Sequence, residues 1–133
     1  MGSGTAPMQW ACFDTAFHSS IPAAAYTYAI PSDFRIRGFR RFGFHGINHQ
    51  HVSETVAAQW REQGKDPSQL RLISAHLGAG ASLAAVKGGR CIDTTMGYTP
   101  LEGLVMATRS GNVDPGLLLE LMREGYSEDE IAG

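Results

Sequence analysis

The amino-acid sequence predicts an α/β fold in which helices flank a mixed sheet. Short apolar runs typical of strands alternate with segments whose apolar residues recur at helical spacing. Apolar residues make up 43% of the chain and charged residues 18%, which is enough apolar material to bury a core. Glycine and proline separate most of these segments and so mark turns and helix ends. The 133 residues are expected to form about one small domain.

Two apolar stretches in the first third of the chain predict strands. Residues 9–13 and residues 40–44 are rich in apolar side chains and are bounded by turn residues. Residues 19–31 lie between them and predict a loop and a short helix, which ends at Pro31 because proline cannot continue a helix.

A longer amphipathic helix is predicted from residue 49 to residue 63. Asn48 is a suitable N-cap for its first turn, and Gly64 follows at the expected C-terminal end. Its apolar positions recur every fourth residue and therefore share one face; they are Val52, Val56 and Trp60.

The second half of the chain predicts three consecutive strands and a helix. Residues 70–77 form an apolar run typical of a strand, and residues 81–95 predict a hairpin that turns at residues 87–89. Asp114 followed by Pro115 is a helix start signal, and leucines follow it. The predicted order is strand, loop, strand, helix, three strands and helix.

The two ends of the sequence differ from the rest. Residues 1–8 are typical of an expression leader or a linker, and residues 9–133 then begin abruptly with an apolar strand. Near the other end, Ser127 and Glu130 form the capping-box pattern that opens a helix. Residues 9–133 are therefore expected to be the central segment of a longer protein, truncated at both ends.

Charge and hydropathy argue against several function classes. A net charge of −2, without an extended basic surface, argues against nucleic-acid binding. No apolar run approaches the roughly 20 residues of a membrane span, and the N-terminus lacks the sections of a signal peptide. We expect a cytoplasmic protein without a membrane partner. Cys12 and Cys91 lie in strand-like apolar sequence, where buried, reduced thiols are expected.

Three histidines lie in the stretch RRFGFHGINHQH, residues 40–51. His45 and His49 are four residues apart, a spacing that zinc can use on a helix. Gly46 predicts that the helix starts after it, and no third strong ligand is near in sequence, so we expect no zinc at these histidines. His49 and His51 are expected on a partly exposed face of the first helical turn. His45 ends a predicted strand, where a structural and a functional role fit equally well.

Three other positions carry chemistry but allow two interpretations each. Gly78 and Gly80 flank a turn that can surround a phosphate with main-chain N–H groups or simply close a hairpin. Arg109, in a loop rich in serine and glycine, can bind a carboxylate or phosphate or can remain solvated. Asp14, at the end of a predicted strand, can hold a metal ion and water or can cap the next turn.

Considered together, these stretches resemble the acetate kinase family, which includes propionate and butyrate kinases. The resemblance runs from about Ala11 to Met122 and implies an actin-like, sugar-kinase and Hsp70-like (ribonuclease H-like) fold, with an active site in the cleft between two α/β domains. The four stretches that carry it are FDTAFH, RRFGFHG..H, HLGAGASLAAVKGG and TTMGYTPLEGLVMATRSGNVDPG.

The resemblance also implies roles for individual residues. Asp14 matches the active-site aspartate, which we expect to organise Mg²⁺, bound water or Arg109 rather than to accept a proton. His45 and Arg109 match the pair that steadies the phosphoryl group, and Arg109 also meets the acyl carboxylate. Phe44 and Pro100 match walls of the pocket for the substrate methyl group. The loop that contacts the ATP phosphates is matched by His76, Leu77, Gly78, Ala79 and Gly80.

The function implied by this resemblance is that of a carboxylate kinase. It is the reversible transfer of the ATP γ-phosphoryl group to acetate, giving acetyl phosphate, with ATP and Mg²⁺ as cofactors and a homodimer as the intact protein. The chain alone is expected to be inactive, because about half of the family's site is not found in the sequence. The alternative is a non-catalytic fragment or a degenerate module for phosphate binding or association. The sequence leaves open acetate, propionate or butyrate as substrate, ATP or pyrophosphate as donor, and the effect of Ala79, where the family usually has asparagine.

Overall fold

A computed structural model describes residues 6–132 of the chain. Residues 1–5 of the predicted leader lie outside the described residues. Short 3₁₀ turns occur at Ala16–Ser20 and Pro67–Gln69. The α-helices and strands are α1 (Ala23–Tyr26), α2 (Ser32–Ile36), α3 (Gly46–Glu62), β1 (Arg71–Leu77), β2 (Ala81–Lys87), β3 (Arg90–Thr94), α4 (Pro115–Arg123) and α5 (Glu128–Ala132).

The three strands form one sheet in the order β1, β2, β3, and both ladders are antiparallel. In the β1–β2 ladder, Ser74 is opposite Ala84 and His76 is opposite Ser82. The predicted strand at 70–77 and the predicted hairpin at 81–95 are therefore confirmed. Local turn and strand signals were sufficient here, because each strand pairs with its neighbour in sequence.

One face of the sheet is covered and the other is open. Helix α3 packs on β1, and the 3₁₀ turn Ala16–Ser20 packs on β3. On the open face, Ile73 and Leu77 of β1 are 66% and 75% exposed. The alternation of strand side chains thus directs Ser74 and His76 towards α3 and leaves the intervening apolar residues at the surface.

The core beneath the sheet is small and partly polar. Ile21, Ala84 and Cys91 form its apolar centre. His18, His49, Ser53, Ser74, Ser82 and Thr94 are also buried. Within residues 6–132, no fully buried side-chain nitrogen or oxygen lacks a hydrogen-bond partner. Burial of these groups is therefore tolerated because hydrogen bonds replace the lost water.

Two predicted strands are absent from the structure. Residues 9–13 have no regular secondary structure, and Trp10 and Phe13 on this segment are 84% and 70% exposed. Residues 40–44 are also irregular, although the N–H groups of Phe42 and Gly43 both donate to the carbonyl of Gly97. Both predictions were wrong for the same reason: an apolar run forms a strand only where another strand offers a continuous ladder.

The first half of the chain differs from the prediction at its helices as well. The short helix in residues 19–31 is present as α1, but it ends at Tyr26 rather than at Pro31, and Pro31 instead precedes α2, which was not predicted. Helix α3 begins at Gly46 rather than at residue 49, so its N-cap is His45 and not Asn48. The predicted C-terminal end is correct, because α3 stops at Glu62, just before Gly64.

The helix signals in the last quarter of the chain are confirmed. The Asp114 carboxylate accepts the N–H of Gly116 at 2.8 Å and caps α4, with Pro115 in its first turn. Ser127 and Glu130 form the predicted capping box before α5. No helix within the described residues is both long and apolar enough to span a membrane.

Arg41 connects the irregular segment at residues 40–44 to the loop that follows β3. Its Nη1 donates to the carbonyls of Thr94, Thr95 and Met96 at 3.1, 3.1 and 3.2 Å. Its Nη2 pairs with Glu102 Oε1 at 2.7 Å. The side chains are only 17% and 31% exposed, so solvent screens this ion pair less than a surface pair.

Tyr28 completes this arrangement by donating its hydroxyl proton to the Glu102 carboxylate. The main-chain N–H of Tyr98 in turn donates to the Tyr28 oxygen at 2.9 Å. Burial, followed by the hydrogen bond to Glu102, raises the pKa of Tyr28 to about 12. The loop after β3 is thus held by one guanidinium, one carboxylate and one phenol.

We predict that Arg41→Lys lowers the free energy of unfolding by about 2 kcal/mol, because an ammonium group cannot reach three carbonyls and a carboxylate together. Arg123→Lys is the matched control, since the Arg123–Glu120 pair is 72% and 59% exposed. The control should change stability by less than about 0.5 kcal/mol. Urea unfolding measures both, and equal effects of the two substitutions would contradict the prediction.

Candidate functional site

His45 has a left-handed main-chain conformation, with φ 57° and ψ 25°. This conformation costs a non-glycine residue on the order of 1 kcal/mol. The Asp14 carboxylate holds it, because Oδ2 accepts the His45 N–H at 2.6 Å and Oδ1 accepts the Ile47 N–H at 3.4 Å. The Asp14 carbonyl accepts the Gly46 N–H at 2.8 Å. Asp14 therefore binds the first N–H groups of α3 and fixes where the His45 side chain begins.

Gly46 is required for this close approach. A Cβ at this position would lie 2.1 Å from the Asp14 carbonyl oxygen, which no side chain can accommodate. The glycine that predicted a later helix start instead permits the helix to begin against Asp14.

The His45 ring is held on two sides. Its Nδ1 lies 2.9 Å from the Ser82 hydroxyl, and its face stacks on His76 with ring centroids 4.0 Å apart and planes 18° apart. Since Ser82 and His76 are directly opposite on β2 and β1, the sheet positions both contacts. The remaining ring nitrogen, Nε2, is free of these contacts.

Arg109 meets His45 at Gly80. A Cβ at Gly80 would lie 3.1 Å from His45 Nε2 and 3.3 Å from Arg109 Nη1. The guanidinium is also held by its own loop, because Nη1 donates to the Pro100 carbonyl at 3.2 Å. The imidazole nitrogen and the guanidinium thus face the same position, where a side chain would crowd both.

The surroundings of His45 disfavour its protonated form. Burial lowers the pKa of His45 most, and His76 and Arg109 lower it further, whereas the charge of Asp14 opposes them. At neutral pH the ring is therefore neutral and carries one proton. Arg109 supplies the fixed positive charge beside it.

A second layer of hydrogen bonds lies behind His45. His49 Nε2 is 2.8 Å from the Ser82 hydroxyl, and His49 Nδ1 is 2.9 Å from the Ser74 hydroxyl. His49 is fully buried, so the expectation of a partly exposed His49 was wrong. His51 is exposed, as expected. Burial, followed by the nearby His18, lowers the pKa of His49 to about 4.

The side chain of His18 contacts the main chain of Phe44 and the side chain of Cys91. Its Nε2 is 2.9 Å from the Phe44 carbonyl and its Nδ1 is 3.2 Å from Cys91 Sγ. Burial raises the pKa of the Cys91 thiol to about 11, which keeps it a buried thiol as predicted. The same prediction was wrong for Cys12, which is exposed because residues 9–13 form no strand.

The structure brings most of the motif residues together. Asp14, His45, Gly80, Arg109 and Pro100 are linked by the contacts above. The others lie beside them: Phe44 precedes His45, His76 stacks on it, and Leu77, Gly78 and Ala79 form the exposed tip of the β1–β2 turn. This turn is closed by the Gly78 N–H donating to the Gly80 carbonyl at 2.9 Å.

Sequence reasoning did not identify Ser74 and Ser82 as parts of this cluster, and it identified His49 only as a supporting residue of the first helical turn. A signal was present, since His49 follows His45 by one helical turn and Ser74 and His76 share one face of a strand. It could not be used without knowing that α3 packs on this sheet. Within residues 6–132, no grouping of three or more histidine, cysteine or acidic side chains could hold a metal ion.

Comparison with known proteins identifies the family. The sequence profile described as the Acetokinase family matches residues 4–133. The chain belongs to the Acetokinase family. A relative named acetate kinase from Gloeobacter violaceus is 57% identical over 124 residues, which are 92% of this chain and 30% of that protein. This chain therefore spans about 30% of the length of such a family member.

Solved structures of the family have the same fold. The crystal structure of Porphyromonas gingivalis acetate kinase matches with a TM-score of 0.80 and 48% identity, over 90% of this chain and 30% of that one. A propionate kinase from Francisella tularensis matches with a TM-score of 0.79 and 43% identity, over the same shares. The predicted α/β class and actin-like fold are confirmed. The sheet, which was predicted to be mixed, is antiparallel throughout within the described residues.

We predict that the free energy of unfolding falls as the pH falls from about 6.5 to about 4. In this range the protonation state of His49 differs between the folded and the unfolded chain. Its pKa is about 4 when folded and near 6.5 when unfolded, so the unfolded chain binds more protons between these values. His18 and His45, whose pKa values are also lowered, act in the same direction. Melting temperatures between about pH 7 and about pH 5 measure the slope.

The matched variants are His49→Gln and His51→Gln. The first should flatten the dependence of melting temperature on pH, because the buried imidazole is gone. The second changes an exposed histidine and should leave the slope as it is. An unchanged slope in His49→Gln would show that other groups govern the acid sensitivity.

Proposed function

We propose that this chain supplies the phosphoryl-binding part of an acetate kinase, an enzyme that reversibly transfers the ATP γ-phosphoryl group to acetate and gives acetyl phosphate. The observation that carries the proposal is the meeting of His45 Nε2 and Arg109 Nη1 at Gly80, in a chain of the Acetokinase family. Relatives from several organisms are named acetate kinase, and these names support the same reaction.

The two side chains suit the charge that develops in phosphoryl transfer. The transition state is loose, with negative charge spread over three equatorial oxygens, so donors and cations fixed around them provide most of the acceleration. In our proposal Arg109 supplies a positive charge and the neutral His45 ring donates a hydrogen bond from Nε2. Gly80 leaves space between them because it has no side chain.

The acceptor requires no general base. Acetate is ionised at neutral pH, so a carboxylate oxygen bonds to phosphorus as the bond to ADP breaks, and no proton is transferred. We accordingly assign Asp14 an organising role, which its hydrogen bonds to the His45 and Ile47 N–H groups support. Phe44 and Pro100 are proposed as walls of the methyl pocket, and Arg109 as the partner of the acetate carboxylate.

The turn from His76 to Gly80 is proposed to contact the ATP phosphates. Its tip is exposed and carries no charged side chain between Leu77 and Gly80, which leaves main-chain groups accessible. Ala79 offers no side-chain amide for this purpose. Pyrophosphate would meet the same groups, so the hydroxamate assay below is repeated with pyrophosphate in place of ATP.

Mg²⁺ is expected with ATP, and within residues 6–132 no group of three or more histidine, cysteine or acidic side chains could hold it. Asp14 is the one carboxylate among the residues to which the resemblance assigns a role, and both of its oxygens accept main-chain N–H groups. We derive no catalytic step through the ion. A homodimer and a cytoplasmic location are proposed from the family resemblance, and light scattering on the purified full-length protein tests the first.

The proposal is tested with a chimera in which this chain replaces the matching segment of the Gloeobacter violaceus acetate kinase. Acetate, ATP and Mg²⁺ are supplied, and acetyl phosphate is trapped as the hydroxamate. We predict turnover by the chimera and none by the 133-residue chain alone, because a loose transition state needs contacts from both sides of a cleft. Activity of the chain alone would contradict this prediction, and a folded but inactive chimera would favour a non-catalytic module.

In the chimera, we predict that Arg109→Ala lowers kcat by a factor on the order of 10³ and His45→Ala by a factor on the order of 10². The larger effect belongs to Arg109 because it carries a full charge. Arg61→Ala and His51→Ala are matched controls at exposed positions of α3 and should retain near-full turnover. Near-full turnover in Arg109→Ala would exclude its proposed role.

A further inference from the structure

We propose that Ser82 and His49 are positioning residues that hold the His45 imidazole with its Nε2–H directed at the space beside Gly80 and Arg109. The inference rests on the proposed function, in which that N–H donates to a phosphoryl oxygen. It adds two buried residues, which do not touch the substrate, to the groups on which turnover depends.

The three residues form one continuous chain of hydrogen bonds. The Ser82 hydroxyl lies 2.9 Å from His45 Nδ1 and 2.8 Å from His49 Nε2. His49 continues the chain to the Ser74 hydroxyl at 2.9 Å. Ser82 and His49 are fully buried and Ser74 is 1% exposed, so water does not compete for these bonds.

The single hydroxyl proton of Ser82 couples the two imidazoles. Ser82 can donate to only one of them, so the other must donate to Ser82. If Ser82 donates to His45 Nδ1, the His45 proton is on Nε2, and His49 donates from its own Nε2 while Ser74 donates to His49 Nδ1. If Ser82 donates to His49 instead, His45 donates from Nδ1 and its Nε2 is bare.

Only the first arrangement suits a phosphoryl group. A bare Nε2 would present a lone pair to an anionic oxygen, whereas Nε2–H presents a donor. The choice matters because the neutral ring has one proton: burial, His76 and Arg109 all lower the pKa of His45. The position of that proton is therefore set by the residues behind the ring rather than by protonation of both nitrogens.

The first experiment reads the tautomer without any activity. Nitrogen-15 NMR of the histidine-labelled 133-residue chain, with His45 assigned from the signals lost in His45→Gln, should show the Nε2–H form of His45. Ser82→Ala should give a mixture of tautomers, because Nδ1 loses its donor. Finding His45 in the Nδ1–H form in the unsubstituted chain would overturn the inference.

The second experiment measures kinetics in the chimera. Ser82→Ala should lower kcat about tenfold and leave the KM values for acetate and ATP unchanged, since the loss of orientation affects a contact made in the transition state. Ser53→Ala is the matched control, because Ser53 is 2% exposed and makes none of these hydrogen bonds. Melting temperatures establish that both variants are equally folded.

Two substitutions of His49 separate orientation from packing. In His49→Gln, the side-chain amide reaches the position of Nε2 and can still donate to Ser82, so most of the turnover should remain. In His49→Asn, the amide reaches only the position of Nδ1, and kcat should fall as in Ser82→Ala. Equal turnover in the two variants would contradict a positioning role.

The outcomes distinguish the inference from the function on which it rests. If Arg109→Ala keeps full turnover, the proposed function fails. If Arg109→Ala loses turnover while Ser82→Ala behaves like Ser53→Ala, the inference fails and the function stands. If the chimera does not turn over, the tautomer of His45 in the 133-residue chain still decides the inference.

Discussion

The hydrogen bond from the His45 main-chain N–H to the Asp14 carboxylate is the contact on which the site depends. At 2.6 Å it holds a left-handed residue at the start of α3, where an unassisted side chain of this size would favour another conformation. The stack on His76 and the hydrogen bond to Ser82 both follow from where the His45 ring leaves the main chain. Asp14 therefore acts on the imidazole through the backbone, which supports the organising role proposed for it.

The other half of the site depends on Arg41. Its guanidinium binds three successive carbonyls after β3 and the carboxylate of Glu102, and these bonds fix the loop that contains Pro100. The Pro100 carbonyl in turn accepts a hydrogen bond from Arg109. Arg109 and His45, which are far apart in sequence, can meet at Gly80 because Asp14 holds one and the loop bound by Arg41 holds the other.

The sequence was informative where structure depends on neighbours in the chain. The hairpin, the Asp114 cap and the capping box at Ser127 are local signals, and all are present as predicted. Residues 9–13 carry an equally good strand pattern, but a ladder requires a partner that the pattern does not specify. His49 is buried against Ser74 of β1 and Ser82 of β2, two strands that follow α3 in the chain. Residue spacing within α3 could therefore not reveal its burial. Site residues could be proposed only from the motifs taken together, since each motif alone allowed a structural interpretation.

The polar character of the core links stability to orientation. Its buried imidazoles and hydroxyls require hydrogen bonds, and the number of ways to satisfy them all is small, so the His45 ring has few arrangements available. An apolar replacement of His49 and Ser82 with matching volume would remove these requirements and could leave the fold as stable or more stable. It would also leave Nδ1 of His45 without a partner and its proton free to move between the two nitrogens. A polar core thus stabilises a fold of this size less effectively than an apolar core would. Its advantage is that it fixes the direction of the His45 Nε2–H bond.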